Sequence, residues 1–321
     1  MVCAGAVGVV FACADLGKDA LGLWPLGSAD ELNEGISGEG NACLQLAPLQ
    51  LAKLSSRERR LRILAALHQL PMPAALWQEL LAQQGALVEA WLEGGDALTS
   101  PSVQGTIHPG PRGSVGQPGA VEVLSSHEQV LGGASGQTYL GCSFPAAADY
   151  RAALMDYGQA VGEALAAEGA LERYAVDFIA RRFGDRWDLQ AIEVNLRQGG
   201  TTHPTMALRA ITTGRLDPAT GLFMAPTGQA VFYSATDNLT APQLRGLLPA
   251  DLIDIVAEAG LHFDPAQLHG SVFHLLGCLS EYGKLGMTCI GRSAAEAGAV
   301  YAATEAELLR GAGRLGHEGP S

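Results

Sequence analysis

Residues 174–204 read YAVDFIARRFGDRWDLQAIEVNLRQGGTTHP, and the rest of the chain is read outward from this stretch. Tyr174 to Ala180 is an apolar run that carries one acid, Asp177, and Leu189 to Leu196 is a second such run. Phe183 to Asp188 lies between them, with Gly184-Asp185 inside it. Two strand-like runs around a short turn predict an antiparallel hairpin. Glu193 and Asn195 are two residues apart on the second strand and therefore share a face. Asp177 on the first strand can meet that face. Two carboxylates and an amide oxygen form a hard-oxygen set, which suits Mg²⁺ carrying nucleotide phosphates. The competing reading makes Asp177 an edge-strand charge and pairs Glu193 with Arg197. An acid facing Glu-x-Asn, followed by Arg197 and Gly199-Gly200, favours the metal. Arg197 continues the same alternation, and a guanidinium there can hold a transferring phosphoryl group. Gly199 to His203 adds backbone amides and hydroxyls, with His203 as readily a helix cap as a functional group.

Working outward, 321 residues suggest about two domains, enough to bury a real core. The formal charge is -13, from 20 basic and 33 acidic side chains. Such a surface repels phosphate backbones, so general nucleic-acid binding is not expected. Any nucleotide must then be met by a local device. The six cysteines include no C-x-x-C pair, so neither structural zinc nor a disulfide framework is indicated. Reduced thiols and a cytoplasmic location are the default expectation. No apolar run reaches the roughly 18 residues of a membrane helix. The apolar start, Val2 to Ala14, is short and reads equally as a strand or a helix.

Between these landmarks, Gly35-x-x-Gly38-x-Gly40 forms a polar, flexible turn. Ser55 or Ser56 can cap a helix that carries Leu61, Leu64, Leu67 and Leu70. Ala86 to Leu92 is strand-like, and residues 94–120, rich in Gly, Pro and Ser, read as a loop or insertion. Val121 starts a strand. Asp149 to Glu168 is an amphipathic helix. After Arg215 come a strand at Ala230 to Ala235, a helix at Asp251 to Ala259 and a helix at Ala294 to Leu309. Ser271 to Ile290 is a buried helix or strand pair. Glu281 and Lys284 are read as neighbours on a helix. His262, His269 and His274 are read as structural.

EVNLR on a strand after VDF on another resembles the metal-binding signature of the ATP-grasp ligases. More narrowly, ELNEGISGEGNA, SPSVQ, VEVLSSHEQVLGG, YAVDF, AIEVNLRQGGTTHP, ATDNL and HLLGCLSEYGKLGMTCIG resemble the pheganomycin-type peptide ligases, in order, over roughly residues 31–301. The resemblance implies an α+β ATP-grasp fold, two lobes around a nucleotide cleft, with an additional small C-terminal domain. The expected parts are a partial small lobe with a glycine-rich flap at 1–92, a large lobe with the metal site at 93–215, the C-terminal domain at 216–301, and a helix end and flexible tail at 302–321. It implies that the chain is N-terminally truncated. The cofactors would be ATP and Mg²⁺. Asp177, Glu193 and Asn195 would be metal ligands, and Arg197 would contact the acyl-phosphate or its transition state. The flap, with Ser37, Gly38, Glu39, Gly40 and Asn41, would give backbone N–H donors to the phosphates. The backbone around Glu89, Trp91 and Leu92 would read the adenine edge, and Asp96 would hold the ribose hydroxyls. One departure stands out: Glu31 occupies the place where the family has a phosphate-binding lysine, with Lys18 and Lys53 the only nearby substitutes.

The implied activity is ATP-dependent ligation of a small-molecule carboxylate to an amine, an amino acid or peptide, through an acyl-phosphate. Neither a nucleic acid nor a membrane is expected as partner, and the sequence leaves the oligomeric state open. The alternative is a catalytically disabled or truncated ATP-grasp-like protein that serves as a nucleotide-binding or scaffold module. Glu31 favours it, and the complete Asp177–Glu193–Asn195 set opposes it.

Overall fold

The computed structural model describes residues 8–12, 42–45, 55, 57–58, 87–89, 95–110, 119–132 and 138–315. The chain divides into two compact units. The first comprises Met1–Leu98, Leu131–Tyr139 and Ile179–Leu189, and the second Thr99–Val130, Leu140–Phe178 and Gln190–Ser321.

In the first unit, β1 (Gly8–Ala12), β2 (Ala42–Gln45) and β3 (Leu87–Glu89) form a parallel sheet in the order β2-β1-β3. Within the apolar start of the chain, Gly8–Ala12 is thus a strand, with an unbroken apolar sequence as parallel strands have. The same unit holds the turn of the expected hairpin, between β8 (Glu172–Phe183) and β9 (Arg186–Asn195). Gly184 takes the left-handed φ of +62° that a tight turn needs. Arg181 and Asp188 form an ion pair at 2.7 Å across the strands.

The remaining strands are β4 (Ala97–Thr99), β5 (Pro101–Ile107), β6 (Val121–Gly132), β7 (Thr138–Phe144), β10 (Arg215–Asp217), β11 (Leu222–Met224), β12 (Ala230–Thr240), β13 (Gly270–His274) and β14 (Lys284–Gly291). They run in the order β10-β11-β12-β7-β6-β5-β8-β4, with β9 on β8 and β14 pairing both β12 and β13. The stretch expected as a loop at 94–120 therefore contains β5, which is buried along its whole length. It hydrogen-bonds β6 on one edge and β8 on the other. Burial and two paired edges override a turn-like composition. Pro101 sits at the first strand position, where its missing N–H costs least. Gly105 is required because a Cβ there would lie 2.3 Å from the Tyr174 hydroxyl.

Helix α1 (Ala148–Ala167) buries Tyr150, Leu154, Gly158, Gly162 and Ala166, every fourth residue. Glycine at 158 and 162 lets the helix approach the sheet: a Cβ at Gly158 would meet Val103 Cγ2 at 2.7 Å. The Tyr174 hydroxyl donates to Gly158 O at 2.8 Å. Glu128 seats the start of the helix by accepting the Ala147 N–H at 2.9 Å and the Tyr150 hydroxyl.

Residue 215 separates no units: β12 pairs β7 through Tyr233–Phe144 and β14 through Tyr233–Ile290. The core beyond it gathers Leu244, Leu252, Leu279, Leu285, Met287, Cys289 and Leu308 between β12, β14, α3 (Pro249–Glu258) and α5 (Ala294–Leu315). Helix α2 (Thr202–Thr212) follows the Arg197 loop. The stretch 271–290 is a strand pair around the short α4 (Leu279–Tyr282). Gly283, at φ +62°, ends α4, and Lys284 opens β14. Glu281 and Lys284 therefore do not share a helix. Helix α5 continues to Leu315, beyond the expected end at Leu309.

Gly158→Leu is expected to cost about 1–3 kcal/mol through overpacking against Val103. Gly313→Ala, where an added Cβ meets nothing within 4 Å, gains up to about 1 kcal/mol. Urea unfolding of the two variants checks both signs.

Candidate active site

One face of the β6-β5-β8 ribbon is polar. Ser102 on β5 is paired with His127 on β6 and with Asp177 on β8. One step along, Gln104 is paired with Ser125 and Ala175. Directly paired residues share a face, so His127, Ser102 and Asp177 form one row. The intervening residues, Val103 and Val176, point to the other face, where Val103 lies beneath Gly158 of α1.

Asp177 is the centre of the site. Gln129 Nε2 donates to its Oδ1 at 2.7 Å, and Asn195 Nδ2 donates to its Oδ2 at 3.2 Å. Ser102 adds a third hydrogen bond. Burial first, and then the neighbouring Glu193, raise the carboxyl, which stands at about 6. The hydrogen bonds from Ser102 and Gln129 and the charge of Arg197 act in the opposite direction. The structure thus brings Asp177, Glu193, Asn195 and Arg197 together. Because Asn195 commits its Nδ2 to Asp177, Oδ1 is the atom left for an incoming cation. The donor set is all oxygen and fits a hard divalent ion. Among the described residues no cluster of three or more His, Cys, Asp or Glu suits a metal, in keeping with a set of two acids and an amide. No described ion pair joins Glu193 to Arg197. Arg197 is exposed and donates to Gln198 O at 3.2 Å.

The loop that carries Arg197 is held from below. Gln104 Nε2 donates to Thr201 O at 3.0 Å, to Thr205 Oγ1 at 2.9 Å and to Ser125 Oγ at 2.8 Å. Thr202 Oγ1 donates to Gln104 Oε1 at 3.1 Å and accepts the Gly199 N–H at 3.0 Å. The Tyr233 hydroxyl lies 2.8 Å from Thr205 Oγ1 and 2.5 Å from His127 Nε2. His127 is fully buried, and burial holds it down at about 3, so it is neutral. This cluster couples the start of α2 to three strands.

His203 does not cap α2. It is the second helical residue, and its ring lies 3.9 Å from the ring of His274 on β13. Asp96 anchors the hairpin turn by accepting the Gly184 N–H at 2.8 Å while its own N–H donates to Arg182 O at 2.7 Å. Glu89 lies in β3. Ser37, Gly38, Glu39, Gly40, Asn41, Trp91 and Leu92, together with Glu31, Lys18 and Lys53, lie outside the described residues. Gln129, Ser102, Gln104, His127 and Tyr233 were not picked out from sequence. The signal for the β5 and β6 residues was the pair Ser102-x-Gln104 and the polar run Ser125 to Gln129 inside strands that begin apolar; Tyr233 had none.

Residues 251–304 match the family described as PGM1 C-terminal domain. The chain is 32% identical over 240 residues to the L-propargylglycine–L-glutamate ligase of Streptantibioticus cattleyicolor, covering 75% of this chain and 46% of that enzyme. The chain thus spans about half the length of this curated relative. Among solved structures, an L-amino acid ligase from Bacillus licheniformis is similar at 15% identity and TM-score 0.39, over 68% of this chain and 54% of that one. The phosphoribosylaminoimidazole carboxylase ATPase subunit from Aquifex aeolicus is similar at 13% identity and TM-score 0.42, over 69% and 58%. The α+β class and the resemblance to this ligase group, C-terminal domain included, are borne out. No helix among the described residues is long and apolar enough to cross a membrane.

In the metal-free chain, Asp177 is a carboxyl whose folded value exceeds its unfolded one. Its protonation therefore stabilises the fold below the unfolded value, and that stability is lost as pH rises through about 6. Asp177→Asn is expected to melt higher than the original chain at pH 8 and alike at pH 4, in chelator. Equal melting temperatures at pH 8 would remove the buried-carboxylate account.

Proposed function

We propose that this relative of an amino-acid ligase, with its PGM1 C-terminal domain, is an ATP-grasp carboxylate–amine ligase that binds ATP with Mg²⁺ and works through an acyl-phosphate. The observation that carries the reading is the convergence of Asp177, Glu193 and Asn195 beside Arg197, on a sheet face built to hold them.

Asp177, Glu193 and Asn195 would hold the cation. Bound there, it supplies charge neutralisation to the nucleotide phosphates. Gln129 and Ser102 fix the Asp177 carboxylate so that it need not reorganise on binding. Arg197, on a loop tied down through Gln104, offers a guanidinium to the phosphoryl group in transit. The γ-phosphoryl group passes to a substrate carboxylate and ADP departs. The amine nitrogen then attacks the acyl carbon: the C–N bond forms, the C–O bond to phosphate breaks, phosphate leaves with the electron pair, and the amine proton passes to solvent. Positioning and electrostatics supply the rate, so no side-chain nucleophile is needed. The small-molecule partners are a carboxylic acid and an amino acid or peptide amine, in line with the named substrates of the curated relative. A cytoplasmic setting suits such an ATP consumer.

Calorimetry with Mg·ATP tests the reading. The original chain is expected to bind, and Glu193→Gln to bind at least about tenfold more weakly. Arg197→Lys is expected to retain binding and to lose about 2–4 kcal/mol of transition-state stabilisation, read as ADP release across an acid and amine panel. Binding of Mg·ATP unchanged by Glu193→Gln, or its absence from the original chain, would sink the proposal.

A further inference from the structure

The polar sheet face does not stop at the metal ligands. Tyr233 reaches the same cluster as His127, and Tyr233 is paired with Ile290 on β14. Alternation then puts Thr288, Gly286 and Lys284 on that face of β14. Gly286 is paired with His274, so His274 lies on it too. The face therefore runs from Asp177 on β8 to His274 on β13, with the start of α2 over it.

At the Gly286 level three features coincide. First, the β12–β14 register shifts between Thr236 and Leu239, so Asp237 and Asn238 together oppose Gly286. This is a β-bulge, a device that re-aims side chains and interrupts pairing. It is pinned: Thr236 Oγ1 donates to Leu140 O at 2.5 Å and accepts the Asn238 N–H at 3.0 Å. Second, the His274 ring fills the space a side chain at 286 would take, since a Cβ there would lie 2.2 Å from its Nε2. Third, His203 from α2 packs on that ring, and His274 Nδ1 is buried without a hydrogen-bond partner. Asp237, Asn238, Lys284 and His274 are partly exposed and His203 is exposed, so the place is open to a ligand.

We propose that this level is a subsite for a free α-amino acid, whose carboxylate meets His203, His274 and Lys284 and whose ammonium meets Asp237. An ammonium, Lys284, and two imidazoles, of which burial keeps His274 neutral, face an acid across a strand and suit a zwitterion better than an anion or a cation alone, because Asp237 would repel a lone anion and Lys284 a lone cation. Lys284 and His274 come from within the matched C-terminal domain, and His203 from the first turn of α2, after the Arg197 loop. The domain thereby acquires a role: it supplies the amine substrate's side of the ligase. That role rests on the ligase reading, whereas the binding site does not.

The test uses the full chain and proton NMR of the imidazole C2–H signals, assigned with His203→Ala and His274→Gln. Each proteinogenic L-amino acid is titrated, with the matching amino-acid amides as controls, first without and then with Mg·ATP. Saturable shifts of both rings are expected with at least one amino acid and not with its amide. Lys284→Met and Asp237→Asn are each expected to weaken that binding about tenfold. Silent rings with every amino acid, equal response to an amide, or indifference to both variants overturns the subsite. Saturable shifts without ADP formation leave the subsite standing and overturn the ligase. Amide-bond formation with silent rings does the reverse.

Discussion

A carboxyl withdrawn from water must find hydrogen-bond donors, and Asp177 finds three: Gln129, Asn195 and Ser102. Much of the second unit follows from that requirement. The donors sit on three different strands, so β5, β6 and β9 must hold their positions about β8 for the carboxyl to be satisfied. Burial still wins over the donors, leaving the group well above the ordinary range. A cation bound there would relieve the conflict between a buried carboxylate and its acidic neighbour Glu193.

The sheet serves this site by having two unlike faces. Toward α1 it is apolar, and glycines at 105, 158 and 162 let tyrosine, helix and strand approach closely. Toward α2 it is polar, and that burial is tolerable because Gln104, Ser125, Thr205, Tyr233 and His127 Nε2 bond one another, with His127 Nδ1 left without a partner. The cluster links Arg197 to the sheet through Thr201 and Thr202, so this exposed cation stands on a braced loop. The same face carries the candidate amino-acid subsite. One surface thus serves both halves of the proposed reaction.

The hairpin and its constellation were legible because they are local: alternation over a few residues puts Glu193 and Asn195 on one face, and a two-residue turn returns the chain to Asp177. The β5 strand was hidden. Its Pro, Ser and Gly content signals a turn, and only partners at 121–128 and 172–177 make it central. Gln129 was hidden for a related reason, since an amide at the end of a polar run means little until a carboxylate 48 residues away accepts from it. The Glu281–Lys284 spacing misled because Gly283 turns the chain between them. Asp96 was legible as a loop acid, while its place under the hairpin turn was not.

By itself the sequence determined the α+β class, the hairpin, the metal-ligand candidates and the ligase resemblance, all of which rest on near neighbours and ordered motifs. Tertiary structure decided what lies between them. It made β12 the joint between the halves on either side of residue 215. It set His203 on His274, and it placed a bulge opposite a glycine. Register, strand order and the distance between side chains far apart in sequence are properties of pairing, and no single stretch of residues encodes them.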